Sequence, residues 1–105
     1  MTSFDEREQA FEARFAHDAD MRFRILARRG KLAGLWAAQR LGKSGAAAEA
    51  HAREVLLSDL EVPGDEDIIA RLLADLAPLG VTRAEVETVL ADTLVEAEAQ
   101  LKDAD

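Results

Sequence analysis

The residues best suited to hold a ligand are seven cations in one stretch. Arg22, Arg24, Arg28, Arg29, Lys31, Arg40 and Lys43 all fall within residues 21–43, which contain no acid. Guanidinium groups at this density suit phosphates and carboxylates, which they grip through paired hydrogen bonds. A plainer use is packing against acidic neighbours, since charged helix faces are often only solvated surface. The rest of the chain supplies those neighbours. Residues 1–20 hold six acids against two bases, residues 44–105 hold fifteen acids against four bases, and the whole chain carries a net charge of -8. That acidity repels a nucleic-acid backbone, so nucleic acid is excluded as the partner. A small phosphate compound and an acidic protein surface remain.

Other candidates for chemistry are weak. Gly42, Lys43 and Ser44 look like the end of a phosphate-binding loop, but that motif needs a glycine at position 37, where this chain has alanine, and it must follow a strand. The tripeptide therefore reads as a helix cap and turn. His17 and His51 are the only histidines, and neither belongs to a metal-binding pattern, so both read as ordinary surface or interface residues. Ser3, Ser44 and Ser58 have no base nearby in sequence, and Asp65 with Asp67 reads as charge at a helix start. Without cysteine there is no disulfide, thiol nucleophile or cysteine-held metal. Neither a catalytic residue nor a metal site is expected, and the chain is not expected to be an enzyme.

The elements that position the cations follow from composition. At 105 residues there is room for one domain with one modest core. Twenty-one alanines against thirteen valines, isoleucines and threonines favour an all-helical chain. The start MTSFDEREQA lacks the cationic flank of a signal peptide, and no apolar run approaches the ~20 residues of a membrane span. A first firm helix is expected from Ala19 to Leu41, with Met21, Ile25, Leu32, Leu35 and Trp36 on one side and Gly42 as its C-terminal cap. Inside it Gly30, Gly34 and Ala38 leave one stripe bare of side chains, at about 1 kcal/mol per glycine, which close packing of a neighbouring helix would offset. A second helix, Ala46 to Leu60, buries Ala52, Val55, Leu56 and Leu60. Val62, Pro63 and Gly64 break the chain before a third, whose Ile68, Ile69, Leu72, Leu73 and Leu76 form the core. Pro78 and Gly80 end it. Thr82 then caps a fourth helix, with Glu85 completing a capping box and Val81 stapled to Val86. Four helices with short loops give a compact antiparallel bundle.

Ahead of the bundle, Phe4, Phe11 and Phe15 lie at helical spacing on an otherwise charged segment. They either complete the core or anchor a mobile arm in a groove on a partner. Terminal position and high charge favour the arm. Residues 1–18 are accordingly taken as a flexible arm and residues 19–105 as the bundle.

Phe4 to Glu8 (FDERE), Phe11 to Asp18 (FEARFAHD), Ala27 to Leu41 (ARRGKLAGLWAAQRL) and Gly64 to Asp67 (GDED) together resemble the α-proteobacterial F1Fo-ATPase inhibitor family, the ζ subunits. The likeness spans nearly the whole chain and is densest from Phe4 to Gly42. It implies a four-helix bundle in the cytoplasm, peripheral to the inner membrane through the F1 head, that inhibits ATP hydrolysis through its N-terminal arm. It also implies weak ADP or ATP binding on the bundle, with no required cofactor. The expected partners are the F1 α and β subunits, with γ as a further contact. Phe4, Phe11 and Phe15 would be anchors, and Asp5, Arg7, Glu8, Glu12 and Arg14 would set register through charge pairs. Nucleotide phosphates would meet Arg24, Arg28, Arg29 and Lys31, with Trp36 either stacking on the base or filling the core. The chain departs from the family pattern at Gly30, where asparagine is usual, at Gln39 and Arg40, where an acid and a lysine are common, and at His51, which replaces an aromatic. The alternative is a nucleotide-sensing helical module that acts on another protein.

Overall fold

Side chains of different size divide the first helix into a narrow buried stripe and two broad shoulders. Arg29, Gly30, Ala33, Gly34, Ala37 and Ala38 are buried, while the larger Met21, Ile25, Leu32, Leu35 and Trp36 are only half-buried along the edges. The expected apolar side of this helix is therefore its margin. Its centre is the small-residue stripe, because neighbouring helices can approach closely only where side chains are short.

The computed structural model describes the backbone of residues 2–61 and 64–104 and the side chains of residues 18–58 and 64–102. It contains α1 (Thr2–Arg40), α2 (Gly45–Glu61), α3 (Glu66–Asp75) and α4 (Arg83–Ala104), with a single 3-10 turn at Ala77–Leu79. The all-helical, four-helix expectation holds. The side chain of Leu60 and the Val62–Pro63 break lie outside the described residues.

Gly34 sets the α1–α2 distance. A methyl group added there would stand 2.7 Å from the Cα of Ala52, 3.1 Å from its carbonyl oxygen and 3.1 Å from the Cβ of Val55. Two of those atoms are backbone and cannot swing aside, so the helices touch main chain to main chain. Ala48, Ala52 and Val55 complete the contact from α2. The predicted packing role is borne out at this glycine.

The hairpin that returns α2 along α1 closes as a Schellman motif. Gly42 takes φ 79°, its amide donates to the Gln39 carbonyl (3.0 Å), and the Lys43 amide donates to that of Ala38 (2.9 Å). Gly42, Lys43 and Ser44 thus form the cap and turn read from the sequence. At the same end of the bundle, the Glu85 amide donates to Thr82 Oγ1 (3.2 Å). The Glu85 carboxylate turns instead toward Arg40 Nη2 at 3.9 Å, so the capping box closes on one side only. Ile68, Leu72, Leu76 and Val86, joined by Val55, are the largest fully buried side chains. Trp36 and Val89 pack at the rim of the core.

At its N-terminal end α1 has no break at the expected 18/19 boundary. Nothing in Ala16–Asp20 is a glycine or proline, and the acids expected to cap a new helix lie within one continuous helix instead. Thirty-nine residues at about 1.5 Å each make a rod of about 58 Å, which accounts for the 64 Å long axis of the molecule.

Replacing Gly34 with alanine gains helix propensity but forces α2 outward. The expected net cost is about 1–3 kcal/mol, read as a drop of several degrees in Tm. A gain in Tm would show that the main-chain contact is not tight.

Candidate functional site

A helix repeat of about 100° per residue sorts the cations of α1 onto two faces. Arg24, Arg28 and Lys31, at i, i+4 and i+7, share one. With Phe23, Ala27, Leu56 and Leu101 they line an open hollow of about 280 Å³ between α1, α2 and α4. Arg28 Nη1 donates to Gln100 Oε1 (3.1 Å), and Lys31 Nζ lies 3.6 Å from Glu49 Oε2. Both contacts are exposed and weak enough for an incoming anion to displace. Phe23 keeps 55% of its surface exposed. The hollow thus pairs three cations with an apolar wall.

Arg29 lies on the other face. It is 5% exposed and donates to both carboxylate oxygens of Asp65, at 2.7 and 3.3 Å. This fork ties the centre of α1 to the residue that begins α3, so Arg29 is a structural clamp. Asp65 makes no side-chain cap to its own helix, and its charge is spent on Arg29. Trp36, seven residues further along, lines a separate hollow of about 370 Å³ with Arg40, Ala84, Glu85, Thr88 and Val89. The Arg40 guanidinium sits 5.8 Å from the indole centroid. The structure therefore brings together three of the five residues expected around a nucleotide and places Arg29 and Trp36 elsewhere.

The expected arm residues Phe4, Asp5, Arg7, Glu8, Phe11, Glu12, Arg14 and Phe15 have side chains outside the described residues; their backbone belongs to α1. Sequence reasoning missed Phe23, Leu56 and Leu101 as walls of the hollow. Phe23 stands off the α1 apolar stripe beside Arg24, and that displacement was the available signal.

The remaining charges brace the bundle. Glu66 accepts from Arg83 Nη2 at 2.7 Å, and Arg83 also donates to Glu87 at 2.7 Å. The Arg83 hydrogen bond and charge hold the Glu66 carboxyl below its ordinary value. Arg71 bridges Asp75 (2.8 Å) and Glu54 (3.1 Å), and these bonds push its guanidinium further toward the charged form. His51, only 6% exposed, lies between Lys43 Nζ, 3.2 Å from Nδ1, and Asp75 Oδ2, 3.0 Å from Nε2. The Asp75 contact is close but not aligned as a hydrogen bond. A lysine ammonium only donates, so Nδ1 is the acceptor in that contact. His51 is thus a buried interface residue. Among the described residues no group of three or more side chains could hold a metal ion.

A long helix braced by three shorter ones, with cations and an aromatic along one face, defines the chain as an all-helical four-helix protein. The family model for ATPase inhibitor subunit zeta matches residues 1–100, and the chain belongs to that family. A protein solved in solution by NMR is 44% identical and superposes with a TM-score of 0.73, over 81% of this chain and 99% of its own. No curated relative matches.

Two outcomes follow. Asp65→Ala removes the carboxylate from a buried guanidinium and should cost about 1–3 kcal/mol in denaturant unfolding, less than a fully buried pair because Asp65 is half-exposed. A loss near zero would refute the clamp. For Glu66, a lowered folded pKa means stability that is present above the unfolded pKa and lost as pH falls through the folded one. NMR titration should place Glu66 below the ordinary value of about 4.3 and return it there in Arg83→Ala; an unchanged titration would contradict the pairing.

Proposed function

We propose that this chain is a non-catalytic regulator that blocks ATP hydrolysis by the F1 sector of ATP synthase. In this reading residues 1–18 enter a catalytic interface between α and β, with γ as a further contact, and jam the rotation that hydrolysis requires. The observation that carries it is the family match, which covers residues 1–100 and so includes the arm as well as the bundle. The arm's stripe of Phe4, Phe11 and Phe15 supplies anchors, and its charges set register. A bundle docked beside the arm adds a second contact that strengthens the first by raising its effective concentration. No helix among the described residues is long and apolar enough to cross a membrane, which agrees with a cytoplasmic protein held at the inner membrane only through F1.

Weak ADP or ATP binding fits the hollow at Arg24, Arg28 and Lys31, with the phosphates on the cations and the base against Phe23. Arg29 would contribute through its hold on α3, and Trp36 through the rim of the core. The same hollow favours a second reading, in which nucleotide binding is the input and another protein receives the output.

Adding the purified full chain to F1 from the same source should suppress ATP hydrolysis. The version lacking residues 2–14 should not, while melting at an unchanged temperature. An unimpaired inhibitor after deletion would refute the arm's role, and failure of the full chain would favour the second reading. Titration with ADP should shift the amide signals of Arg24, Arg28 and Lys31; shifts confined to another surface would refute the hollow as its site.

A further inference from the structure

Lys43, His51 and Asp75 stand in a row running from the hairpin surface into the bundle. Lys43 Nζ is 3.2 Å from His51 Nδ1, and His51 Nε2 is 3.0 Å from Asp75 Oδ2. The same carboxylate oxygen accepts from Arg71 Nε at 2.8 Å, which fixes Asp75 in place. An amine within hydrogen-bond reach of an imidazole, whose far nitrogen faces a carboxylate, is the order in which side chains are activated as nucleophiles. Because Nδ1 accepts from Lys43, its lone pair points at a proton that must leave before the amine can attack. Taking that proton makes the ring cationic, and Asp75 is placed to offset the charge. The ring is 6% exposed while Lys43 is exposed, so a dissolved reagent reaches the amine but not the base.

The surrounding turn holds the lysine without covering it. The Lys43 amide donates to the Ala38 carbonyl at 2.9 Å, which anchors the stem of the side chain. A Cβ added at Gly42 or Gly45 would meet no atom within 4 Å, so the turn on both sides is open. The chain has two other lysines. Lys31 Nζ lies 3.6 Å from Glu49 Oε2, a carboxylate that holds an ammonium rather than deprotonating it. Lys102 is exposed in the last turn of α4. Among the described residues, Lys43 alone lies against an imidazole.

We propose that Lys43 is a site of covalent acylation by small acyl phosphates, with His51 as its base and Asp75 as the group that positions and steadies the ring. His51 Nδ1 takes one proton from the ammonium and passes it to water. The neutral Nζ then attacks the acyl carbonyl carbon and forms an N–C bond. The C–O bond to phosphate breaks with its electron pair going to the phosphate, which also takes the second nitrogen proton. The products are an amide and hydrogenphosphate, and nothing is oxidised or reduced. One N–H remains on the nitrogen and can still donate to Nδ1, so the hairpin loses a cation without losing its contact. The modification is stoichiometric rather than catalytic, and it stands or falls separately from the F1 reading.

The test incubates the full chain with acetyl phosphate and follows acetylation of each lysine over time by peptide mass mapping. Lys43 should react about tenfold faster than Lys102, below the ~10²–10⁴ of an enzyme's general base because nothing else orients the donor. His51→Phe, which keeps a ring in the buried position, should bring Lys43 down to the rate of Lys102. Asp75→Asn should lower the Lys43 rate in part and Asp75→Glu should keep it, with Lys102 constant throughout. In the parent chain unfolded by urea, a comparison that needs no variant, the advantage of Lys43 should vanish. Equal rates at Lys43 and Lys102 in the folded chain would overturn the proposal. So would an unchanged Lys43 rate in folded His51→Phe, or an advantage that survives in urea.

Discussion

The main-chain approach at Gly34 governs the rest of the architecture. With Ala52 Cα only 2.7 Å from where a Cβ would stand, α1 and α2 lock at one distance and one register. That register brings Lys43 to His51 and sets α3 where Asp65 can reach Arg29. It also leaves Leu56 beside Phe23 and Arg28, so the hollow is a by-product of the same contact. Helices joined through small residues are rigid along their length, because no long side chain is available to repack.

Segregated charge has two distinct uses in this fold. On the covered face of α1 a cation is buried and matched, as Arg29 is by the start of α3. On the open face Arg24, Arg28 and Lys31 are held only by exposed, weak contacts. One basic stretch thus holds a buried brace on one face and loosely held, exposed cations on the other, divided by helical phase. The acidic starts of α3 and α4 likewise do more than complement the helix dipole: Asp65, Glu66 and Glu85 each reach to a guanidinium on another segment.

Much of this was legible in the sequence, for definable reasons. Gly42, Gly80 and Thr82 marked helix ends because caps are local, and the packing role of Gly34 could be read because an interior glycine needs compensation. The two-face split of the cations was latent in the spacing of positions 24, 28, 29 and 31. It became visible only once α3 was known to lie over Arg29, a contact between residues 36 apart. Non-local geometry also hid the walls of the hollow, since Leu56 and Leu101 reach Phe23 only through tertiary packing. Where α1 begins was not legible, because acids at Asp18 and Asp20 are compatible both with a new helix start and with a helix that simply continues.

The central claim is that the first residues of α1 enter an F1 catalytic interface. A photoreactive phenylalanine analogue placed at position 11 of the full chain, irradiated in complex with F1, tests it most directly. The account predicts adducts with α and β at their shared interface. Adducts confined to other subunits, or none from a chain that still inhibits, would contradict it.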